Sequence, residues 1–137
     1  MEPLKAKLTW IQNMEMESET RGIKVKLDAR PEAGGENKGQ APKEMVLSGL
    51  CGCTAMDVIA ILKKMRSLPE YFSVEAEAEQ TDTHPKVFKK IRLKYIAKGV
   101  DKEKLEKAVK LSQEQYCGVS EMLRKTAEIT YEIQLLD

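Results

Sequence analysis

A long apolar segment occupies the middle of the chain and limits the folds that it can adopt. Residues from Lys43 to about Arg66 lack a continuous polar face, and the most apolar stretch runs from Met45 to Leu62. A helix that is apolar nearly all round is typical of one that other structure encloses. Asp57 lies inside this stretch and would cost about 2.5–3.5 kcal/mol at the centre of a bilayer. The sequence therefore predicts a buried central helix in a soluble protein, with no membrane partner.

Segments in which apolar and polar residues alternate flank this helix on both sides, as expected for half-buried strands. Two segments precede the helix and predict the two strands of a hairpin. Three follow it and predict a second hairpin and a final strand. Their apolar members are, in chain order, Leu8, Trp10, Met14 and Met16; Ile23, Val25 and Leu27; Phe72, Val74, Ala76 and Ala78; Ile91, Leu93, Tyr95 and Ala97; and Ala127, Ile129, Tyr131, Ile133 and Leu135.

The remaining segments are a connector and a helical region. Glycine and proline between Arg30 and Pro42 predict a flexible connector. Asp101 is a good N-cap for a helix that ends near Gly118, and a further helical turn follows it. The element order is then β-β-α-β-β-α-α-β. This order predicts an α+β fold with mostly antiparallel sheets wrapped around the central helix.

Length and charge narrow the class of protein. With 137 residues, the chain is expected to form one domain over residues 1–137. Its 23 basic and 22 acidic residues nearly balance, so no nucleic-acid partner is expected. The start of the sequence does not have the pattern of a secretory signal. The three cysteines are an odd number and so do not suggest a framework of paired disulfides. We therefore expect a cytoplasmic protein with reduced thiols.

A homodimer is predicted from the composition of the central helix. So apolar a helix is difficult to bury fully in a monomer of this size. The small residues Ser48, Gly49, Gly52 and Cys53 would let a second backbone approach it closely. The sequence thus predicts an intimate dimer built around this helix.

The three cysteines are the residues best able to carry chemistry, because a thiolate is both a nucleophile and a reductant. Cys51 and Cys53 are two positions apart on the predicted helix, so they point to opposite sides and cannot readily bridge each other. At most one of them can share a pocket with Cys117. The alternative is that each cysteine is a small buried apolar residue, which is common for free cysteine.

Other kinds of site are less well supported. A zinc site of Cys51, Cys53, His84 and Cys117 has enough ligands but not the usual spacings, and no metal or cofactor is predicted. A protease-like dyad with His84 is weak, because this histidine lies in a charged turn. Asp57 is interpreted as structural.

Two cysteine motifs and the connector resemble the OsmC/Ohr family, in particular its OsmC-like, YhfA-type branch. The motifs are PKEMVLSGLCGCTAMDV at residues 42–58 and LSQEQYCGVSEML at residues 111–123, and GGENKG precedes them at residues 34–39. They occur in the family's order, and the likeness extends over nearly the whole chain. The resemblance implies an OsmC-like fold and an intertwined homodimer with reactive sites at the subunit interface.

The resemblance also implies a reaction and roles for individual residues. Cys53 matches the peroxidatic cysteine, Cys117 matches the resolving cysteine, and Cys51 has no counterpart. The Cys53 thiolate would reduce an organic hydroperoxide and leave a sulfenic acid, with which Cys117 condenses to a disulfide. An external dithiol, a lipoyl-bearing protein in the Ohr branch, would reduce that disulfide.

The chain departs from the family pattern at the residues that activate the thiolate. The family's hydroperoxide reductases use an arginine from the first hairpin, but no basic residue lies near Asn13 to Met16, and Arg21 comes later. Glu44 lies about one position from the family's glutamate, and its other role is to cap the helix dipole. Without the arginine, peroxidase activity is expected to be slow or absent. A non-catalytic redox sensor or apolar-ligand-binding protein is the alternative.

Overall fold

Two three-stranded sheets and one long helix, α1 (Pro42–Lys64), make up most of the structure, a computed structural model that describes residues 1–137. The chain divides into two units, Met1–Val46 and Leu47–Asp137, and α1 begins in the first and continues in the second. That residues 1–137 act as one domain stays a prediction. The strands are β1 (Lys7–Gln12), β2 (Glu15–Thr20), β3 (Ile23–Leu27), β4 (Tyr71–Gln80), β5 (Phe88–Lys98) and β6 (Glu128–Leu136); the shorter helices are α2 (Lys102–Leu111) and α3 (Gly118–Arg124).

The first unit contains three antiparallel strands in the order β1-β2-β3, so the prediction of a two-stranded hairpin is wrong. The predicted first strand is divided by a turn at Asn13, which has a left-handed φ of 49°. Asparagine tolerates this conformation better than most residues, because its short polar side chain can bond locally. A second turn uses Arg21 and Gly22, with φ values of 53° and 81°.

The segment after β3, predicted to be a flexible connector, is an ordered loop. Its centre is Asp28, whose side chain is 3% exposed and accepts hydrogen bonds from three backbone N–H groups. These belong to Ala29, Glu36 and Lys38, at 2.8, 3.0 and 3.1 Å. The bonds, the one from Glu36 first, hold the pKa of Asp28 below its ordinary value. The loop is therefore folded onto one buried carboxylate.

Helix α1 agrees with its predicted range, and a single chain buries only part of it. The buried side chains recur at every fourth position and form a single stripe. They are Leu50, Thr54, Val58 and Leu62. Met56, on another side, is 75% exposed. Burial of α1 within one chain is thus partial, as expected for so apolar a helix in a monomer of this size, and its enclosure by a second chain stays a prediction. Helix α1 is long and apolar enough to cross a membrane, but the core helices of soluble proteins often meet the same criteria of length and composition.

The second unit has a sheet in the order β4-β5-β6. The predicted hairpin of β4 and β5 is confirmed, and cross-strand ion pairs support it: Arg92 contacts both Glu77 and Glu79. Strand β6 runs parallel to β5, because α2 and α3 carry the chain back across the sheet before it pairs. The sheets are otherwise antiparallel, as predicted. Residues of β5 that face inward form much of the core, namely Ile91, Leu93, Tyr95 and Ala97.

The helical region before β6 is broken at a cysteine. Asp101 caps α2 by accepting a hydrogen bond from the backbone N–H of Lys104 at 3.0 Å, as predicted. Helix α2 ends at Leu111, however, and a π-helical turn, Ser112–Tyr116, replaces the predicted continuation to Gly118. Cys117 then has an extended conformation (φ −76°, ψ 99°) and precedes the first residue of α3. The joint between the helices therefore positions Cys117.

Candidate functional site

Three potentially reactive side chains meet between α1 and the joint that precedes α3. The Sγ atoms of Cys53 and Cys117 and a carboxylate oxygen of Asp57 all lie within 4.8 Å of one another. Cys53 and Asp57 are four positions apart on α1, so they share one face of the helix. Cys117 is 3% exposed, whereas Cys53 and Asp57 are half-buried. The structure thus brings the predicted thiol pair together and adds an acid to it.

The environment of Cys117 keeps it protonated. Burial is the first cause that raises the pKa of this thiol, and the neighbouring Cys53 raises it further. The backbone N–H of Ser120 opposes the rise by donating to the Cys117 Sγ at 3.4 Å, and the Ser120 side chain also lowers the pKa. The Ser120 hydroxyl is fully buried and bonds no other group. It is therefore free to turn toward a thiolate.

The third cysteine lies outside this cluster. Cys51 is half-buried, and burial raises the pKa of its thiol above the ordinary value. Since Cys51 is two positions from Cys53 on α1, their side chains leave the helix on different sides. It forms no disulfide, and neither do the other two cysteines.

The remaining candidate residues lie at the start of α1 and in two turns. Glu44, in the first turn of α1, accepts a hydrogen bond from the backbone N–H of Ala41 at 2.9 Å, as a helix-capping side chain does. Whether Glu44 also serves a reaction stays a prediction. His84 lies in the turn between β4 and β5, and Arg21 lies in the turn between β2 and β3.

A chain of buried polar groups leads from Asp57 toward α3. Ser112 donates from its hydroxyl to the Asp57 carboxylate at 2.9 Å. The Ser112 oxygen is 2.7 Å from the Thr54 hydroxyl, which is 2.6 Å from the Tyr95 hydroxyl. The Gln113 side-chain amide donates to the Tyr95 oxygen at 2.8 Å. Ser112, Thr54 and Tyr95 are fully buried, so the bonds among them are shielded from water, whereas the bond from Ser112 to Asp57 is partly buried.

The direction of every bond in this chain follows from the first. Each hydroxyl has one hydrogen, and Ser112 uses its own on Asp57, so Thr54 must donate to Ser112. Tyr95 must then donate to Thr54 and accept from Gln113. Burial raises the pKa of Tyr95 to about 12, which keeps it a donor at neutral pH.

This series of hydrogen bonds begins at the guanidinium of Arg124 and ends at the carboxylate of Asp57. The Arg124 guanidinium donates to the backbone carbonyl and the side-chain oxygen of Gln113, at 3.1 and 3.2 Å. The five hydrogen bonds from Arg124 to Asp57 therefore point the same way, an arrangement in which each bond polarises the next. The result is an Asp57 carboxylate held in a fixed orientation beside two thiols.

Sequence reasoning did not identify this polar chain. Thr54, Ser112 and Gln113 are ordinary polar residues in predicted helices, where they are usually solvated. Tyr95 was the one residue in the sequence that could indicate such a network. Its position in the alternating strand predicts burial, and a buried tyrosine hydroxyl needs a hydrogen-bond partner. That signal does not say which residues are the partners.

Comparison with known proteins gives the family. A model of the family described as OsmC-like protein matches residues 35–132. Protein YhfA of Escherichia coli strain K12 is 31% identical over 136 residues, which cover 97% of this chain and 98% of YhfA.

Two solved structures have the same fold. A hypothetical protein from Aquifex aeolicus VF5 superposes with a TM-score of 0.83 at 28% identity, over the full length of both chains. An organic hydroperoxide resistance protein OsmC from Legionella pneumophila superposes with a TM-score of 0.73 at 22% identity, over 98% of both chains. The two small sheets and the long helix α1 are accordingly an OsmC-like fold, and the chain belongs to the OsmC-like family.

Proposed function

We propose that the protein is a thiol-dependent organic hydroperoxide reductase, in which Cys53 attacks the peroxide and Cys117 resolves the product. The observation that carries this proposal is the approach of the two Sγ atoms to within 4.8 Å. Only a short movement separates them from disulfide distance. The Legionella relative is an organic hydroperoxide resistance protein, which supports the same substrate class.

The reaction balances with the two thiols and one external dithiol. The Cys53 thiolate attacks the terminal peroxide oxygen, the O–O bond breaks, and the alkoxide leaves as an alcohol after taking a proton. Cys53 is then a sulfenic acid. The Cys117 sulfur displaces its hydroxyl as water, and a disulfide forms. A dithiol reduces this disulfide and becomes oxidised itself; by family resemblance, we propose a lipoyl-bearing protein in the cytoplasm as its source.

The environments of the other cysteines support this division of roles. The raised pKa values of Cys51 and Cys117 keep both mainly as thiols at neutral pH, and a thiol is a poor nucleophile toward peroxide. A resolving cysteine can begin as a thiol, because its proton leaves with the sulfenic oxygen as water. Cys117 suits this second step, and Cys51 is too far around the helix to take part.

A redox sensor on the same scaffold is the second candidate. It is favoured by the placement of Arg124, whose guanidinium bonds Gln113 and Glu121 and not a thiol. A sensor would form one disulfide and stay oxidised, so that each protein molecule consumes about one peroxide molecule. Turnover therefore separates the two candidates.

The test compares the reduced protein with Cys53→Ser and with the matched control Cys51→Ser. Each is mixed with an organic hydroperoxide and a dithiol, and peroxide loss is followed while disulfides are mapped by mass spectrometry. We expect wild type and Cys51→Ser to consume many equivalents through a Cys53–Cys117 disulfide, and Cys53→Ser to show only the rate without protein. Equal, slow loss in all three samples would contradict the enzyme proposal. Stoichiometric disulfide without turnover would identify a sensor.

Glu44 can be examined in the same assay. We propose that its carboxylate also orients the reacting groups, as its place near the family's glutamate implies. Glu44→Gln keeps an acceptor for the Ala41 N–H but removes the charge. A lower rate of Cys53 oxidation at unchanged stability is expected; an unchanged rate would leave Glu44 as a helix cap only.

We also propose that the protein works as a homodimer. A Cβ added at Gly49 or Gly52 of α1 would have nothing within 4 Å beyond the neighbouring backbone of its own helix, and Met56 is 75% exposed. An apolar helix with small residues on an open side is suited to contact a second backbone. Light scattering at micromolar concentration is expected to give twice the chain mass of 15.5 kDa. A monomer under these conditions would contradict the proposal.

A further inference from the structure

We propose that the reduced protein binds one zinc ion between Cys53, Asp57 and Cys117, in an open site that competes with peroxide for the thiols. Binding itself needs only the geometry of these three residues. Its inhibitory consequence rests on the proposed peroxidase function.

The three ligand atoms have the types and approximate separation that zinc requires. Two thiolates and one carboxylate oxygen form a donor set of the kind found in zinc sites that keep a fourth position for water. Zn–S bonds of about 2.3 Å at the tetrahedral angle place two sulfurs about 3.8 Å apart. The atoms here all lie within 4.8 Å of one another. Since Cys53 and Asp57 lie on one helix face, rotation of their side chains alone can close the difference.

The surroundings hold these ligands as metal sites commonly do. The Ser112 hydroxyl donates to one Asp57 oxygen at 2.9 Å and belongs to the series of hydrogen bonds that starts at Arg124. Ser112 therefore orients the carboxylate as an outer-shell partner orients a metal ligand. The Ser120 N–H donates to the Cys117 sulfur, and the buried Ser120 hydroxyl has no other partner. Both groups can stabilise a metal-bound thiolate.

The binding step is an exchange of protons for metal. Each cysteine S–H bond is replaced by a Zn–S bond, the two protons pass to the buffer, and no atom is oxidised or reduced. Oxidation of Cys53 and Cys117 to a disulfide consumes both thiolates, so the oxidised protein cannot form the site. Zinc binding and peroxide reduction are therefore mutually exclusive.

The experiment titrates the reduced full-length protein with Zn²⁺ against a chromophoric chelator, and with Co²⁺ to observe thiolate-to-metal charge transfer. We expect one ion per chain and a charge-transfer band of two thiolates. Cys117→Ser and Asp57→Asn should each weaken zinc binding more than Ser112→Ala, for which a loss of about 10–100-fold is expected. Cys51→Ser is the matched control and should bind as wild type does.

The outcomes distinguish this proposal from the proposed function. Binding that is absent, or that survives in both Cys117→Ser and Asp57→Asn, would overturn the zinc site, whether or not the protein reduces peroxide. If zinc binds as described but peroxide is not consumed, the site stands and the peroxidase proposal fails. If both hold, one equivalent of zinc should abolish peroxide loss, and a chelator should restore it. Persistent turnover at saturating zinc would refute the inhibitory role.

Discussion

Replacement of Cys117 by serine is expected to make the protein inactivate itself with excess organic hydroperoxide. Under the proposed mechanism, Cys117 of the wild type condenses with the Cys53 sulfenic acid and stops oxidation at the disulfide. Serine cannot form this bond, so the sulfenic acid of the variant stays exposed to further peroxide. It then proceeds to the sulfinic and sulfonic acids, which a dithiol does not reverse.

Intact-protein mass spectrometry measures this outcome directly. Wild type should lose two hydrogens on oxidation, whereas Cys117→Ser should gain two or three oxygen atoms at Cys53. At one equivalent of peroxide, a sulfenic-acid trap should label the variant and not the wild type. Cys51→Ser is the control and should form the normal disulfide. A Cys51–Cys53 disulfide in Cys117→Ser, or no oxidation of Cys53 at all, would contradict the assigned roles.

Replacement of Thr54 by valine is expected to cause a large loss of stability at nearly constant side-chain shape. Thr54 receives a hydrogen bond from Tyr95 and donates one to Ser112, and all three residues are fully buried. Valine leaves the Tyr95 hydrogen without an acceptor and the Ser112 oxygen without its donor. Each such loss costs about 1–3 kcal/mol, so the free energy of unfolding should fall by about 2–6 kcal/mol.

Equilibrium denaturation of wild type, Thr54→Val and the exposed control Thr130→Val tests this expectation. Thr130 lies in β6 with its side chain exposed, and its replacement should change the free energy of unfolding by less than about 0.5 kcal/mol. A double-mutant cycle with Tyr95→Phe should show a coupling of about 0.5–3 kcal/mol, because both residues belong to one chain of bonds. If Thr54→Val and Thr130→Val lowered the free energy of unfolding equally, the buried hydrogen bonds of Thr54 would contribute little to stability.

Periodicity in the sequence was sufficient for most of the elements. The range of α1, the hairpin of β4 and β5 and the N-cap at Asp101 are each specified by neighbours within a few positions. The turn at Asn13 was missed because apolar alternation continues across it, so the pattern alone does not show that the strand ends. The parallel pairing of β6 depends on the path of α2 and α3 and has no local signal.

Part of the candidate site likewise follows from local sequence, and part depends on packing between distant segments. The spacing of Cys53 and Asp57 on one face of α1 follows from helical geometry, and the family motifs identified Cys53 and Cys117. The meeting of Cys117 with that face depends on the π-helical turn Ser112–Tyr116 and on the break that follows it. Sequence patterns report the local period of a chain, whereas this junction is set by packing between distant segments.

Local patterns and motifs in the sequence were therefore enough to indicate the family and the long apolar helix, and to single out Cys53 and Cys117. The approach of Asp57 to the two thiols, and the directed series of hydrogen bonds that connects it to Arg124, depend on how the elements pack together. Buried polar groups must find partners wherever the fold places them, and those partners lie on different elements. Here they come from α1, β5, the π-helical turn and α3.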